Sequence, residues 1–187
     1  YRADIVPVGE DQLPHLELSR EIARRFNHLF GPTFPEPKAR LTPFPVILGL
    51  DGATKMSKSY NNHIELAATP EETQARVMKA VTDPARRYRT DPGHPEVCNV
   101  YRLQHYFSPD QLERVHDECT HAILGCVQNK EFLAQCINER LAPFRERRAE
   151  FATRPQYIKE VLADGARRAQ AIARETLADV KEKMGLV

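Results

Sequence analysis

The sequence predicts an α/β segment followed by an all-helical one, and three observations carry that prediction. A strand-like run rich in β-branched residues, "ADIVPV" over residues 3 to 8, stops at Gly9 and passes into a helical period. Residues 32 to 45 then carry five prolines. Beyond about residue 66 one helical pattern follows another. The expected boundaries are 1–66 for the α/β part and 67–187 for the helical part.

The elements follow in order. From Asp11 an apolar period through Leu18, Ile22, Phe26 and Leu29 describes a helix closed by Gly31-Pro32. Pro14 is tolerated there because it falls in the first turn, where no intrahelical N–H is needed. A strand, a glycine turn and a helix start make half of a βαβ unit. The proline-rich residues 32 to 45 read as loop, and "VILGL" (46 to 50) reads as a second short, buried strand. Thr69 with Glu72 forms a capping box for a helix reaching about Val81. "TDPARRYRTDPGHPE" (82 to 96) reads as irregular. Helices are expected over 97–107, from Ser108 as N-cap to about Leu124, and from 129 to about 153 with a kink at Pro143. The last period, from Ile158 through Val161, Leu162, Ile172 and Leu177 to Met184, is interrupted by Gly165. There is no internal repeat and no low-complexity segment.

Composition narrows the function classes only a little. The chain has 187 residues, 41% hydrophobic and 28% charged, an ordinary globular mixture for one large domain or two small ones. No stretch approaches the roughly 20 apolar residues that span a bilayer, so no membrane partner is expected. The start lacks a charged-then-apolar signal, and a cytoplasmic location is expected. "YRADIVPV" also lacks an initiator Met, so the chain is expected to begin inside a domain. A net charge of +1 says nothing strong about nucleic acid, although residues 140 to 187 hold eleven Lys/Arg against seven Asp/Glu. The four cysteines (98, 119, 126 and 136) form no Cys-x-x-Cys pair and are expected to be small buried hydrophobes. In "HDECTH" a helix would put His116 and Cys119 on one face and turn His121 away, so no metal site is expected.

Two stretches carry chemistry. In "VPVGEDQ" (6 to 12) Gly9 lets backbone approach a ligand, and the peptide N–H groups of the following helix start favour an anionic or polar group. Asp11 and Gln12 add an acceptor and a bifunctional amide; the plainer account makes Asp11 an N-cap and Gln12 a solvated first-turn residue. The second stretch is "DGATKMSKSYNN" (51 to 62), which follows the expected second strand directly. Ligands of open α/β sheets sit beyond the carboxyl ends of strands, where both stretches fall. Lys55 and Lys58 are compact cations on flexible stems, suited to phosphate. With Ser57 and Ser59 between and after them, they could stabilise charge growing on a departing pyrophosphate. On composition alone, an ordinary polar surface loop is the simpler account.

"KMSKS" matches the signature loop of class I aminoacyl-tRNA synthetases at all five positions. "VPVGEDQ" running into "HLELSREIARRFN", and "KAVTDPARR" after the loop, resemble the bacterial tryptophanyl-tRNA synthetases within that class. The resemblance covers essentially the whole chain. It implies the C-terminal part of a Rossmann-like catalytic domain, followed by a helical region that includes an anticodon-binding domain. It implies ATP-dependent activation of L-tryptophan, with ATP and Mg²⁺ as the substrate complex and no tightly bound cofactor, then transfer to tRNA(Trp). Carried over by position, Gly9, Glu10 and Asp11 border ATP, while Lys55, Met56, Ser57, Lys58 and Ser59 contact its adenine side and phosphates. Val46 aligns with an adenine-contacting position. Gln12 reaches the backbone of tryptophan, and Val6 and Val8 line the indole pocket. A homodimer is implied as well.

The departures from the family pattern are specific. No His-x-Gly-His motif or variant occurs in the sequence, and the aspartate that reads the indole N–H has no counterpart in it. The chain is therefore expected to be the C-terminal half of such an enzyme, inactive alone, with a mobile loop. The alternatives are a non-catalytic RNA- or protein-binding module derived from a synthetase, and the related tyrosyl ligase. Upstream sequence carrying the two-histidine motif would separate enzyme from module. Arg145, Arg147, Arg148, Arg154, Arg167 and Arg168 could meet nucleic-acid phosphates or simply face solvent.

Overall fold

A computed structural model describes residues 1–42 and 46–186; Pro43 and Pro45 of the expected proline loop lie outside the described residues. The chain order is β1 (Ile5–Pro7), α1 (Leu13–Phe30), β2 (Lys38–Arg40), α2 (Pro70–Val77), α3 (Asn99–Phe107), α4 (Leu112–Thr120), α5 (Cys126–Ala152) and α6 (Pro155–Lys183). Single 3₁₀ turns stand at Glu10–Gln12, Pro95–Val97 and Pro109–Gln111. Two compact units result: Tyr1–Val46 with Arg154–Val187, and Ile47–Thr153.

In the first unit β1 and β2 pair in parallel, Ile5 opposite Lys38 and Pro7 opposite Arg40, with α1 as the crossover. The βαβ unit is thus completed within the chain, but not by the stretch expected to do it. "VILGL" makes only an isolated antiparallel bridge, Leu48 to Lys55, and Val46 and Ile47 are exposed. Its chain bends back at once: the Gly49 N–H donates to Thr54 O (2.9 Å) and the Gly52 N–H to Gly49 O (2.9 Å). Lys38–Arg40 was hidden because all three residues are exposed and two are charged, so neither alternation nor apolarity marks them.

α1 ends at Gly31, whose φ of +88° lies in the region open to glycine. Asn27 then fixes the exit: its Oδ1 accepts from the Thr33 and Phe34 N–H groups (2.9 Å each) and its Nδ2 donates to Phe34 O (2.7 Å). Phe26 packs against Phe30 and Phe34, with centroids 4.9 and 5.1 Å away. Leu18, Ile22 and Leu29, on the expected apolar stripe, are exposed. α6 runs through Gly165 without the expected interruption, since one glycine costs a helix only about 1 kcal/mol. It is tied to its own unit by the Arg2–Asp179 ion pair and by Lys183 Nζ, which donates to Pro32 O (2.8 Å) and Thr33 Oγ1 (2.9 Å).

The second unit holds the larger core: Leu50, Val77, Ala80, Cys98, Val100, Leu103, Leu133, Ala134 and Ile137. The capping box at α2 is formed in both directions, Glu72 N–H to Thr69 Oγ1 (3.2 Å) and Thr69 N–H to Glu72 Oε2 (2.8 Å). α2 stops at Val77, earlier than expected, and Val81 N–H donates instead to Leu50 O (2.9 Å). Ser108 flanks a 3₁₀ turn, and its hydroxyl makes no cap bond. α4 ends at Thr120 because Ala122 turns left-handed (φ +59°), and Glu118 O accepts from both Ile123 and Leu124 N–H. Of the cysteines only Cys98 is fully buried; the other three are half-buried, and all four are free thiols. Among the described residues no helix is long and apolar enough to cross a membrane.

Candidate functional site

The lysine loop is built around one buried side chain. Asn62 is 6% exposed. Its Nδ2 donates to Asp51 Oδ2 (2.8 Å), Thr54 Oγ1 (2.9 Å) and Lys55 O (3.1 Å), and its Oδ1 accepts from the Ser57 N–H (2.8 Å). Its own carbonyl accepts from Leu50 N–H (2.7 Å). Asp51 closes the near side of the loop, accepting from the Ala53 N–H (3.0 Å), the Thr54 N–H (3.1 Å) and the Thr54 hydroxyl (2.7 Å). These bonds, the one from Asn62 foremost, hold the Asp51 carboxyl well below the usual carboxylate range.

The loop is also latched to the helices of its own unit. Asn99, the first residue of α3 and 2% exposed, donates through Nδ2 to Gly49 O (2.8 Å). Arg76 on α2 donates to Asn61 O (3.1 Å), and Asn61 itself adopts a left-handed φ of +51°. Met56 is half-buried against the core, and its N–H donates to Ile47 O (2.8 Å). With Met56 turned inward, Lys55, Lys58 and Ser59 face outward as exposed residues, and Ser57 is half-buried with its Oγ accepting from Ser59 N–H (3.2 Å). The expectation of a mobile loop meets a stretch whose backbone is hydrogen-bonded at both ends. Two ammonium groups three residues apart, carried by a held backbone, suit a polyanion such as a phosphate chain.

The second stretch lies in the first unit. Gly9 is extended (φ −77°), and Gln12 N–H donates to Gly9 O (3.0 Å), closing the 3₁₀ turn that leads into α1. Asp11 does not cap: the position before α1 is Gln12, and neither turn nor helix has a side-chain cap bond. Glu10, Asp11 and Gln12 are exposed, and Gln12 Nε2 donates to Asp11 Oδ2 (3.3 Å). Val6 is half-buried and lines an apolar cavity of about 340 Å³ with Leu16, Ile22, Ala23 and Phe34; Val8 and Gln12 do not line it. Val46 is 42% exposed. The structure thus assembles Lys55 to Ser59 within one unit, and Val6, Val8, Gly9 to Gln12 and Val46 within the other.

Among the basic candidates, Arg145 is a brace: it donates to Thr73 Oγ1 (2.8 Å), Asn138 Oδ1 (2.8 Å) and Leu66 O (3.3 Å). Arg167 and Arg168 are 77% exposed and pair with Asp164, and Arg154 stacks over Tyr157 (4.8 Å). Sequence reasoning passed over Asp51, Asn62 and Asn99. The Asp51-Gly52 dipeptide was a turn signal for the first; nothing local marked Asn99.

A βαβ unit, a glycine turn into a helix and a two-lysine loop set on a helical core define a class I aminoacyl-tRNA synthetase arrangement. The family model described as tRNA synthetases class I (W and Y) matches residues 1–142, and the chain belongs to that family. Its relatives include the tryptophan–tRNA ligase of Aquifex aeolicus, 47% identical over all of this chain and 47% of that protein. The tryptophan–tRNA ligase of Thermotoga maritima is 42% identical over all of this chain and 57% of its own length. Among solved structures, tryptophanyl-tRNA synthetase from Campylobacter jejuni, complexed with ADP and tryptophan, superposes with a TM-score of 0.79 at 32% identity. That match covers 97% of this chain and 56% of the other. The chain spans about half the length of the curated relatives it matches. The fold is the C-terminal portion of a Rossmann-like domain with a helical domain following.

Proposed function

We propose that the full-length protein is a tryptophan–tRNA ligase and that this chain supplies the phosphate-facing loop of its ATP site. In this reading the tryptophan carboxylate attacks the α-phosphate of ATP bound as its Mg²⁺ complex, and pyrophosphate leaves. The tryptophanyl group then passes to the 3′-end of tRNA(Trp). Lys55 and Lys58 meet the charge that accumulates on the leaving pyrophosphate, an interaction that accelerates the step only insofar as it tightens in the transition state. Gly9, Glu10, Asp11 and Val46 border the nucleotide, Gln12 holds the tryptophan backbone, and Val6 and Val8 flank the indole. Residues 1–66 serve the catalytic domain, and residues 67–187 include the anticodon-binding domain. A homodimer in the cytoplasm belongs to the same reading.

The observation that carries the proposal is the outward presentation of Lys55 and Lys58 from a loop whose intervening Met56 is packed inward. The test is tryptophan-dependent ATP–pyrophosphate exchange by the full-length protein. Lys58→Ala and Lys55→Ala are each expected to lower it about 10²–10³-fold while tryptophan still binds. Undiminished exchange in both variants overturns the role of the loop, and exchange supported by tyrosine in place of tryptophan moves the assignment to the tyrosyl ligase.

A further inference from the structure

We propose that Asn62 is a positioning residue for the two loop lysines, an inference that rests on the reading of Lys55 and Lys58 just given. Asn62 follows the signature, touches no part of its basic chemistry, and is almost fully buried. Yet this one amide grips the loop at four places: Asp51 before it, Thr54 and the Lys55 carbonyl at its start, and the Ser57 N–H between the lysines. The Lys55 carbonyl and the Ser57 N–H bracket Met56, so the amide sets the backbone course from which both ammonium groups are carried. The Lys58 carbonyl is held in turn by the Asn61 N–H (3.1 Å), one residue before Asn62.

The space beside Gly49 is taken up by the amide. A Cβ at Gly49 would stand 2.1 Å from Asn62 Nδ2 and 2.8 Å from Asn62 Cβ, so the glycine exists to let this side chain in. On the far side of the same turn Asn99 holds the Gly49 carbonyl. A buried amide with donor and acceptor both engaged is direction-specific: it holds one loop geometry and no mirror of it. Displacement of a catalytic group by about 1 Å costs about 10²-fold in rate, so the value of Asn62 lies in catalysis more than in ligand affinity.

The experiment uses the full-length protein and compares Asn62→Ala, Lys58→Ala, the double variant and the exchanged pair Asp51→Asn/Asn62→Asp. In the exchanged pair residue 51 becomes the donor and residue 62 the acceptor; the Thr54 hydroxyl reverses to accept from residue 51 and donate to residue 62, and the bond to the Lys55 carbonyl is replaced by a contact between two acceptors. Asn62→Ala is expected to lower kcat of ATP–pyrophosphate exchange about 10²-fold with the tryptophan Kd changed less than about twofold. The double variant is expected within about threefold of Lys58→Ala, because a positioning group has little left to position once the lysine is gone. The exchanged pair is expected to recover at least about tenfold of the loss. Full exchange activity in Asn62→Ala overturns the inference, as does a multiplicative double variant. A parallel loss of exchange and tryptophan binding, unrelieved in the exchanged pair, also overturns it by assigning Asn62 to general folding. Undiminished exchange in Lys58→Ala and Lys55→Ala overturns the underlying reading of the loop instead.

Discussion

Gly49 and Asn62 interlock: the position a Cβ would take on Gly49 is already filled by the Asn62 side chain, 2.1 Å away at Nδ2 and 2.2 Å at Cγ. The clash reaches the stiff Cβ end of Asn62, so rotation of the amide does not relieve it. Gly49→Ala should therefore displace Asn62 and the loop together. The expected cost is about 1–3 kcal/mol in urea unfolding, the range for overpacking, and on the proposed function ATP–pyrophosphate exchange by the full-length protein should fall with it.

Asp51 makes the loop acid-sensitive in a defined direction. Its carboxyl is held below the usual range in the folded chain, so the unfolded state binds the proton more readily. The stabilising contribution is fully present above the unfolded carboxylate value of about 3.9 and is lost as pH falls through the lower folded value. Urea midpoints measured from pH 6 down to pH 2 should fall less steeply for Asp51→Asn than for the unsubstituted protein. Parallel curves would mean that the carboxyl is not held low.

Arg145 should behave as a structural residue. Its guanidinium spans Thr73, which is fully buried, and Asn138 on its own helix, and it reaches the Leu66 carbonyl. Arg145→Ala leaves those acceptors without their donor and is expected to cost about 1–3 kcal/mol of stability in denaturant titration. Arg145→Lys should recover little, because an ammonium cannot replace three bonds made by a planar fork. Arg167→Ala, which loses a pair with exposed Asp164, should change stability by less than about 1 kcal/mol.

Thr69→Ala removes the hydroxyl half of the capping box at α2. About 1 kcal/mol of stability should be lost, with Thr69→Ser retaining most of it, both read by thermal or urea unfolding.

Most helices were legible because their signals are local. The Thr69–Glu72 box, Gly31 after α1 and the apolar period of α3 are written within a few residues of the element they define. Ends were less legible where tertiary bonds took over, as where Val81 leaves the α2 register to bond Leu50. The apolar periods of α1 and α6 told helix correctly and burial poorly: Ile22 and Leu162 are both exposed. Cys119, Cys126 and Cys136 are half-buried for a similar reason, since composition fixes what a side chain prefers and packing decides what it receives.

By itself the sequence determined the helix-forming segments, the glycine turn after the first strand and the chemical content of the lysine loop, because propensity, capping and charge act over a few residues. Only the tertiary structure decided that Lys38–Arg40 pairs with Ile5–Pro7, that Asn62 is the buried hub of the loop, that Asn99 latches it and that Arg145 is a brace. Three of these contacts join residues more than thirty positions apart, and the fourth, Asn62, depends on a glycine thirteen residues earlier making room for it. A hydrogen bond between distant residues has no local signature; it exists because the folded chain brings the two groups together, and where they are buried, as at Asn62 and Asn99, each must find a partner there.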